Sequence, residues 1–281
     1  MTRFALLCGT PLLVLLACSP QEPPERAEES ASDTAEPADG PVRGDWLVLW
    51  LLADPESLNP LTSNDIASNQ VLGPIIGSLL GLHPQTLERL PVVASELPTV
   101  SADHLTYTFR IRGDVSFSDG RPLTVEDVLF SLKAIKNPEV NAAPLRNYFL
   151  SIVGARALDD RTIAFRASEP YFRNDAVLGG IPILPRHFYD PAGDLEGITV
   201  AELAAWNEID PEKKKRALRF AKAFNRDFHR KVLGSGAYVL ERPERDLITG
   251  ERIVLRHHDH FWAPGDPLRG DGYVERLFYR V

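Results

Sequence analysis

Apolar and polar residues alternate most clearly along Leu105–Lys133, and the pattern predicts a strand, a tight turn and a helix in that order. An apolar residue at every second position is typical of a strand with one buried face. The alternation continues past Gly113-Asp114 before the turn begins. The apolar positions are Tyr107, Phe109, Ile111, Val115 and Phe117.

The turn and the helix that follow are marked by their own residues. Asp119-Gly120 suits a tight turn because glycine, which has no Cβ, adopts positive φ without a clash. Thr124 is predicted to cap the helix with a hydroxyl that accepts from first-turn amides, and Glu126 and Asp127 place negative charge at the positive end of the helix dipole. The buried face is predicted at Val128, Leu129, Leu132 and Ile135. Each residue has a packing or capping role, so the segment indicates a fold rather than an active site.

Two further elements are predicted upstream. Trp46–Leu52 is an almost continuous apolar run, which favours a strand buried on both faces. After a loop bounded by prolines, Asp65 is predicted to cap a helix that extends through Leu80. Gly73-Pro74 would bend this helix or divide it in two.

Downstream, the pattern predicts two hairpins and a helical region. Ser151–Leu158 and Thr162–Ala167 form the first hairpin around an Asp-Asp turn, and Val200–Val232 is predicted to be helical, with a helix start at Pro211. The second hairpin pairs Val239–Arg242 with Arg252–Arg256, and a Thr-Gly turn lies between them.

The first residues predict export. Arg3 and the apolar run Phe4–Ala17 have the form of a secretory signal, and the run is too short to span a bilayer. The run ends in Leu-Leu-Ala before Cys18, which resembles a bacterial lipobox, so residues 1–17 are predicted to be a lipoprotein signal peptide and Cys18 to be lipidated. The alternative is an ordinary signal peptide with an incidental cysteine.

Residues 18–44, rich in Pro, Glu, Ala and Ser, are predicted to be a disordered acidic tether.

Composition excludes several kinds of site. The two cysteines are Cys8 and Cys18, so the predicted globular part, residues 45–281, has no disulfide and no thiol nucleophile. The formal net charge is −8, much of it in the tether, and no basic stripe is visible along the sequence. Nucleic acid is therefore not an expected partner. The basic run Lys213–Arg216 is interpreted as a solvated helix face.

Neither metal binding nor catalysis is predicted. His257, His258 and His260 could suit zinc or nickel, but neighbouring residues of a strand point to opposite faces, so a structural or surface role is favoured. Gly234-Ser235-Gly236 lacks the Gly-x-Ser-x-Gly pattern of a nucleophile elbow. We therefore expect no catalytic residues, no cofactor, no metal and no enzyme activity.

Several of these segments, in this order, resemble the family 5 extracellular solute-binding proteins, which capture oligopeptides, dipeptides, nickel chelates and related solutes for ABC importers. The resemblance rests on Leu105–Lys133 together with Leu58-Asn59-Pro60, Ile181–His187, Gly234–Tyr238 and Leu255–Trp262. It implies an α/β, periplasmic-binding-protein-like fold of the type II, peptide-binding class with mixed sheets. It also implies a first lobe, a small subdomain at about residues 64–165 and, because family members are about twice as long, a missing second lobe.

The resemblance also implies a function and a site. The expected function is capture of peptides, or a similar small solute, outside the cytoplasmic membrane and delivery to an ABC permease by an exported protein anchored to membrane lipid through Cys18. Ligand contacts are expected from Asn64, Ser68, Asn69 and Tyr238. Ser68 and Asn69 could instead be exposed helix positions, and Tyr238 could belong to the core. The main alternative is a lipid-anchored scaffold or interaction protein that has lost solute binding, and a lipoprotein hydrolase is the third hypothesis.

Overall fold

A computed structural model describes residues 44–281. The predicted signal peptide, the lipidation site Cys18 and nearly all of the predicted tether lie outside this range. Among residues 44–281, no helix combines the length and the apolar character that crossing a membrane requires.

The described part contains eleven strands and eight α-helices in mixed order. The strands are β1 Gly44–Trp50, β2 Leu80–Leu82, β3 Arg89–Pro91, β4 Thr99–Val100, β5 Thr106–Arg110, β6 Ile152–Asp159, β7 Thr162–Ala167, β8 Tyr238–Val239, β9 Leu247–Ile248, β10 Arg252–His257 and β11 Val274–Arg280. The helices are α1 Ile66–Leu72, α2 Val125–Lys136, α3 Ala143–Tyr148, α4 Asn174–Gly179, α5 Arg186–Tyr189, α6 Val200–Ala204, α7 Pro211–Asp227 and α8 Pro243–Asp246.

The strands form three sheets. A five-stranded sheet has the order β1-β11-β10-β8, with β9 also paired to β10, and a four-stranded sheet has the order β4-β5-β7-β6. The strand pair β2-β3 forms the third sheet. β1 runs parallel to β11, whereas the other pairs are antiparallel. The sheets are therefore mixed, as the sequence predicts.

The strand, turn and helix of Leu105–Lys133 are confirmed. β5 precedes a turn in which Gly120 has φ 83°, and α2 begins directly after Thr124. Thr124 is the N-cap and forms a capping box, in which its side chain accepts from the Asp127 amide and Asp127 Oδ2 accepts from the Thr124 amide and hydroxyl, both at 2.9 Å. The buried Asp127 carboxylate also accepts from the Arg186 amide at 2.9 Å, which joins the start of α2 to α5.

The prediction that Trp46–Leu52 is buried on both faces is wrong. β1 occupies the edge of its sheet, and Trp46 is 62% exposed and Trp50 70% exposed. Leu52, beyond the end of the strand, is 98% exposed. Apolar character therefore predicted a strand correctly, but the position of that strand in the sheet decided its burial.

The helix predicted from Asp65 to Leu80 is shorter than expected. Asp65 is the N-cap, but α1 ends at Leu72, and its first residue, Ile66, is 69% exposed. The backbone carbonyls that follow the helix accept hydrogen bonds from another segment of the chain. Gly236 donates its amide to Ile75 O at 2.8 Å, and Tyr238 donates its amide to Pro74 O at 3.2 Å. These contacts and the missing N–H of proline direct the chain away from the helix.

The downstream predictions are largely confirmed. β6 and β7 form the first hairpin, and the helical region divides into α6 and α7, with Pro211 as the first residue of α7. The second hairpin is modified, because α8 and β9 lie between β8 and β10. Gly250, at φ 72°, supplies the predicted turn directly before β10.

Two buried apolar clusters hold these elements together. The larger cluster extends from Leu61 to Phe224 and includes α2, β5 and β7, and the smaller one packs α1 against the inner face of the five-stranded sheet. The subdomain at about residues 64–165 stays a prediction.

Candidate functional site

A groove of about 520 Å³ opens between α1, α3 and the segment that follows α4. Its walls are mainly apolar, and two exposed asparagines, Asn64 and Asn69, lie along it. Tyr148, which is 64% exposed, forms an aromatic wall. Apolar walls with a few oriented polar groups are typical of a site for a small organic ligand.

The two asparagine side chains have hydrogen-bonding capacity to spare within residues 44–281. Asn69 makes no side-chain hydrogen bond to another described residue, and Asn64 Nδ2 makes a single long contact of 3.5 Å to Thr62 O. A carboxamide carries both donors and an acceptor, so each can pair with a peptide group in either direction. The groove therefore offers polar partners that the fold itself does not use.

The loop that carries Asn64 is shaped by a buried neighbour, Asn59, which is 1% exposed. Its Oδ1 accepts from the amides of Leu61 and Thr62 at 3.1 and 3.3 Å. Its Nδ2 donates to Phe224 O at 3.0 Å, which ties the loop to α7. Asn59 is thus a positioning residue for the groove, and its place in the Leu-Asn-Pro triplet was the only sequence signal for it.

Asp65 is the N-cap of α1, and its carboxylate binds both polar groups of Ser68. The carboxylate accepts from the Ser68 amide at 2.7 Å and from its hydroxyl at 2.5 Å. Burial alone would raise the pKa of Asp65, but these hydrogen bonds outweigh it and hold the pKa below its ordinary value.

Replacement of Asp65 by asparagine is expected to remove about 1 kcal/mol of stability near neutral pH, because the amide still caps the helix but loses the negative charge and the acceptor for the Ser68 hydroxyl. Because the folded-state pKa is depressed, the contribution of the carboxylate is present above about pH 4 and is lost as pH falls through the folded-state value. Urea unfolding of both proteins at pH 7 and pH 3 measures this. A difference between the proteins that grows at pH 3 would contradict the assignment.

The structure brings two of the four predicted ligand residues to the groove. Asn64 and Asn69 line it, whereas Ser68 is fully buried and its hydroxyl faces Asp65. Tyr238 is 2% exposed, lies in the smaller core cluster and donates its hydroxyl to Val274 O at 2.9 Å. Tyr148 was missed, because nothing in the sequence of α3 indicates that its last residue stays exposed.

The segment Gly234–Tyr238 makes close backbone contacts with other parts of the fold. A Cβ on Gly234 or Gly236 would collide with the backbone of Ile75 or Pro74, so both positions require glycine. Gly234 O also accepts from the Ser118 amide at 2.9 Å. The segment therefore connects the exit of α1, the turn before α2 and the start of β8.

The histidines near the end of β10 have structural contacts. His257 Nε2 lies 3.4 Å from an oxygen of the buried Asp271, and His258 Nε2 lies 2.9 Å from Gly236 O. Burial lowers the pKa of His258, which favours its neutral form. No group of three metal-ligating side chains suited to an ion occurs within the described range.

Comparison with known proteins identifies the family. Residues 88–281 match the sequence model of the bacterial extracellular solute-binding proteins, family 5. The chain belongs to this family. This family 5 chain is 37% identical over 213 residues to a probable ABC transporter-binding protein of Deinococcus radiodurans. The aligned residues make up 75% of the chain and 32% of that relative. It is 24% identical over 226 residues to the periplasmic oligopeptide-binding protein of Escherichia coli, covering 74% of the chain and 34% of that relative.

Solved structures show the same fold. The oligopeptide-binding protein from Bacillus subtilis, in complex with a nonapeptide, superposes with a TM-score of 0.61 at 21% identity, over 86% of the chain and 41% of that protein. The fold is thus the type II periplasmic peptide-binding class. The chain spans about a third of the length of these two curated relatives.

Proposed function

We propose that this chain takes part in capturing peptides for an ABC importer, and that the groove at Asn64 and Asn69 belongs to the peptide site. The observation that carries the proposal is the pair of carboxamides whose hydrogen-bonding capacity the described fold leaves unused. They lie beside the exposed ring of Tyr148 in a groove with apolar walls.

Such a groove suits a peptide main chain. Each peptide unit brings one donor and one acceptor, and a carboxamide pairs with both whatever the peptide's side chains are. Water can bridge the remaining polar groups, so varied side chains are tolerated. The names of the Escherichia coli and Bacillus subtilis relatives, both oligopeptide-binding, favour peptide over other solutes.

Several further features belong to the same proposal. The protein would be exported, anchored to membrane lipid through Cys18, and would deliver its solute to a permease without catalysing a reaction. Two predicted ligand residues would support the site from within the fold rather than contact the peptide. Ser68 binds the N-cap Asp65, and Tyr238 packs in the core beneath the five-stranded sheet.

Replacement of both Asn64 and Asn69 by alanine is expected to weaken peptide binding about tenfold, because two hydrogen bonds of about 0.5–1.5 kcal/mol each would be lost. A tryptic digest of casein serves as the peptide pool, and native mass spectrometry identifies the peptides retained. Titration of a retained peptide then gives the affinity.

Replacement of Asn207, an exposed asparagine in the connection between α6 and α7, is the matched control and is expected to leave binding unchanged. Equal binding by the double variant and the control would place the peptide site elsewhere. If the parent chain retains no peptide, the scaffold hypothesis would be favoured instead.

A further inference from the structure

The short helix α3, which precedes the hairpin of β6 and β7, has few contacts of its own to fix its position. It spans six residues, Ala143–Tyr148, and none of them is fully buried. Its N-cap residue, Ala142, makes no side-chain hydrogen bond, and Leu145 packs only partly against the larger apolar cluster. A helix of fewer than two turns is marginal without tertiary contacts. Other parts of the fold must therefore set its position.

The position of α3 is important because this helix forms one wall of the groove. Pro144, Leu145 and Tyr148 line the groove, and the Tyr148 ring is the aromatic surface of that wall. A rotation or a shift of α3 would change the distance between this ring and the carboxamides of Asn64 and Asn69. The geometry of the candidate site therefore depends on how firmly α3 is held.

Arg146 joins α3 to the end of α2. Its Nε donates to Ile135 O at 2.8 Å, and its Nη2 donates to Asn137 O at 2.7 Å and to Val140 O. The last carbonyls of a helix have no partner within the helix, and a basic side chain that binds them also lies at the negative end of the helix dipole. Arg146 thus caps α2 from a neighbouring helix.

Lys136 makes the contact in the opposite direction. It is the last residue of α2, its side chain is buried, and its Nζ donates to Phe149 O, directly after α3, at 3.1 Å. The same carbonyl accepts from the Ile152 amide at 3.0 Å. Phe149 O would therefore keep a hydrogen-bond partner even without the ammonium group of Lys136.

The placement of these two cations costs free energy. Among the described residues neither has a carboxylate partner in an ion pair. Burial lowers the pKa of both side chains, and the Arg146 guanidinium lowers the pKa of Lys136 further. A methionine of similar length would fill the space of Lys136 without a charge to desolvate. Lys136 is thus better explained by the geometry that it imposes than by the stability that it adds.

We propose that Lys136 and Arg146 are positioning residues of the peptide site, which hold α3 against the end of α2 so that Tyr148 forms the wall of the groove. This inference rests on the proposed function of the groove. Arg146 reaches from α3 to α2, and Lys136 reaches from α2 to the end of α3, so the pair resists both sliding and rotation of the helix. The two bonded residues of this segment, Arg146 and Phe149, lie on either side of Tyr148 in the chain.

Lys136→Met tests the role of the ammonium group. The loss of one hydrogen bond is expected to raise the hydrogen-exchange rate of α3 amides about fivefold and to weaken binding of a peptide retained from the casein digest about fivefold. The midpoint of urea unfolding should not fall, because the change removes a buried charge and Phe149 O keeps the Ile152 amide. The two readouts separate a loss of position from a general loss of stability.

Lys133→Met is the matched control, one turn earlier on the same helix. Burial lowers the pKa of Lys133 as it does that of Lys136, but Lys133 Nζ donates to Leu195 O at 3.5 Å instead of to the end of α3. Its replacement should leave α3 exchange and peptide affinity unchanged. Arg146→Lys keeps the charge but loses the planar fork that reaches three carbonyls, and it should loosen α3 as Lys136→Met does.

A double-mutant cycle with Tyr148→Ala shows whether Lys136 acts through the ring. Tyr148→Ala alone is expected to weaken peptide binding about fivefold, and the addition of Lys136→Met should weaken it no further. Additive losses, unchanged α3 exchange in Lys136→Met, a lower urea midpoint, or an equal effect of Lys133→Met would each overturn the proposal. If the parent chain retains no peptide, the proposed function fails and the positioning role fails with it, and faster α3 exchange then reports a purely structural contact.

Discussion

Replacement of Gly236 by alanine is expected to destabilise the fold by about 3 kcal/mol or more, at the upper end of overpacking effects. The new Cβ would lie well inside van der Waals contact with the Pro74 carbonyl and 2.8 Å from the Ile75 carbonyl carbon, so backbone rather than a flexible side chain would have to move. The shift would also break the hydrogen bond from the Gly236 amide to Ile75 O. Urea unfolding followed by circular dichroism measures the loss.

Gly154→Ala is the matched control for this change. Gly154 lies in β6, and a Cβ there would meet the nearest heavy atom, Arg166 Cβ, at an ordinary 3.8 Å. Its free energy of unfolding should stay within about 1 kcal/mol of the parent value, since alanine also restricts the unfolded chain. Similar losses at Gly154 and Gly236 would show that the close approach of Gly236 to Pro74–Ile75 is not what fixes glycine there.

Replacement of Asn59 by aspartate is expected to lower stability by about 3 kcal/mol at neutral pH. The change keeps the shape and the acceptor for Leu61 and Thr62, but it places a carboxylate oxygen opposite Phe224 O, where Nδ2 now donates. A buried charge without a full set of partners is costly. Denaturant unfolding at pH 7 checks this magnitude.

The loss should be smaller in acid. Burial and the facing carbonyl raise the folded-state pKa of the new carboxyl above the unfolded value of about 4, so the variant recovers stability relative to the parent as pH falls toward that value. A protonated carboxyl can again donate to Phe224 O. Asn207→Asp, at an exposed position, serves as the control and should show no such recovery. A deficit at Asn59 that is the same at pH 7 and pH 4.5 would argue against a buried charge.

The parts of the fold that the sequence predicts correctly depend on short-range signals. Asp119-Gly120, the Thr124 cap and the proline at the start of α7 act within a few residues of themselves, so their structural roles can be predicted from the chain alone. Asp65 is similar, because an N-cap needs only the first turn of its helix.

The parts that were missed depend on distant neighbours. The burial of Tyr238 and the role of Asn59 are set by Val274 and Phe224, which lie far along the sequence. The early end of α1 has the same cause, since its exit carbonyls are used by Gly236 and Tyr238. No local pattern contains this information.

The outer face of the five-stranded sheet shows most clearly what a local sequence pattern cannot predict. Its arginines occur in pairs four residues apart on two strands, and neither strand is basic enough to be noticed alone. The register of β10 with β11 brings Arg252 opposite Arg280 and Arg256 opposite Arg276. The absence of a basic stripe along the sequence was therefore a poor guide to the surface.

The pairing of β1 with β11 has a consequence for the order of folding. These strands are separated by more than two hundred residues, yet among described strands β11 is the partner of β1. During synthesis β1 is made long before its partner exists, and closing so large a loop is entropically slow. The apolar side chains of β1 must therefore remain unpaired until nearly all of the described chain has been made, so a nascent chain that has not yet reached β11 exposes them.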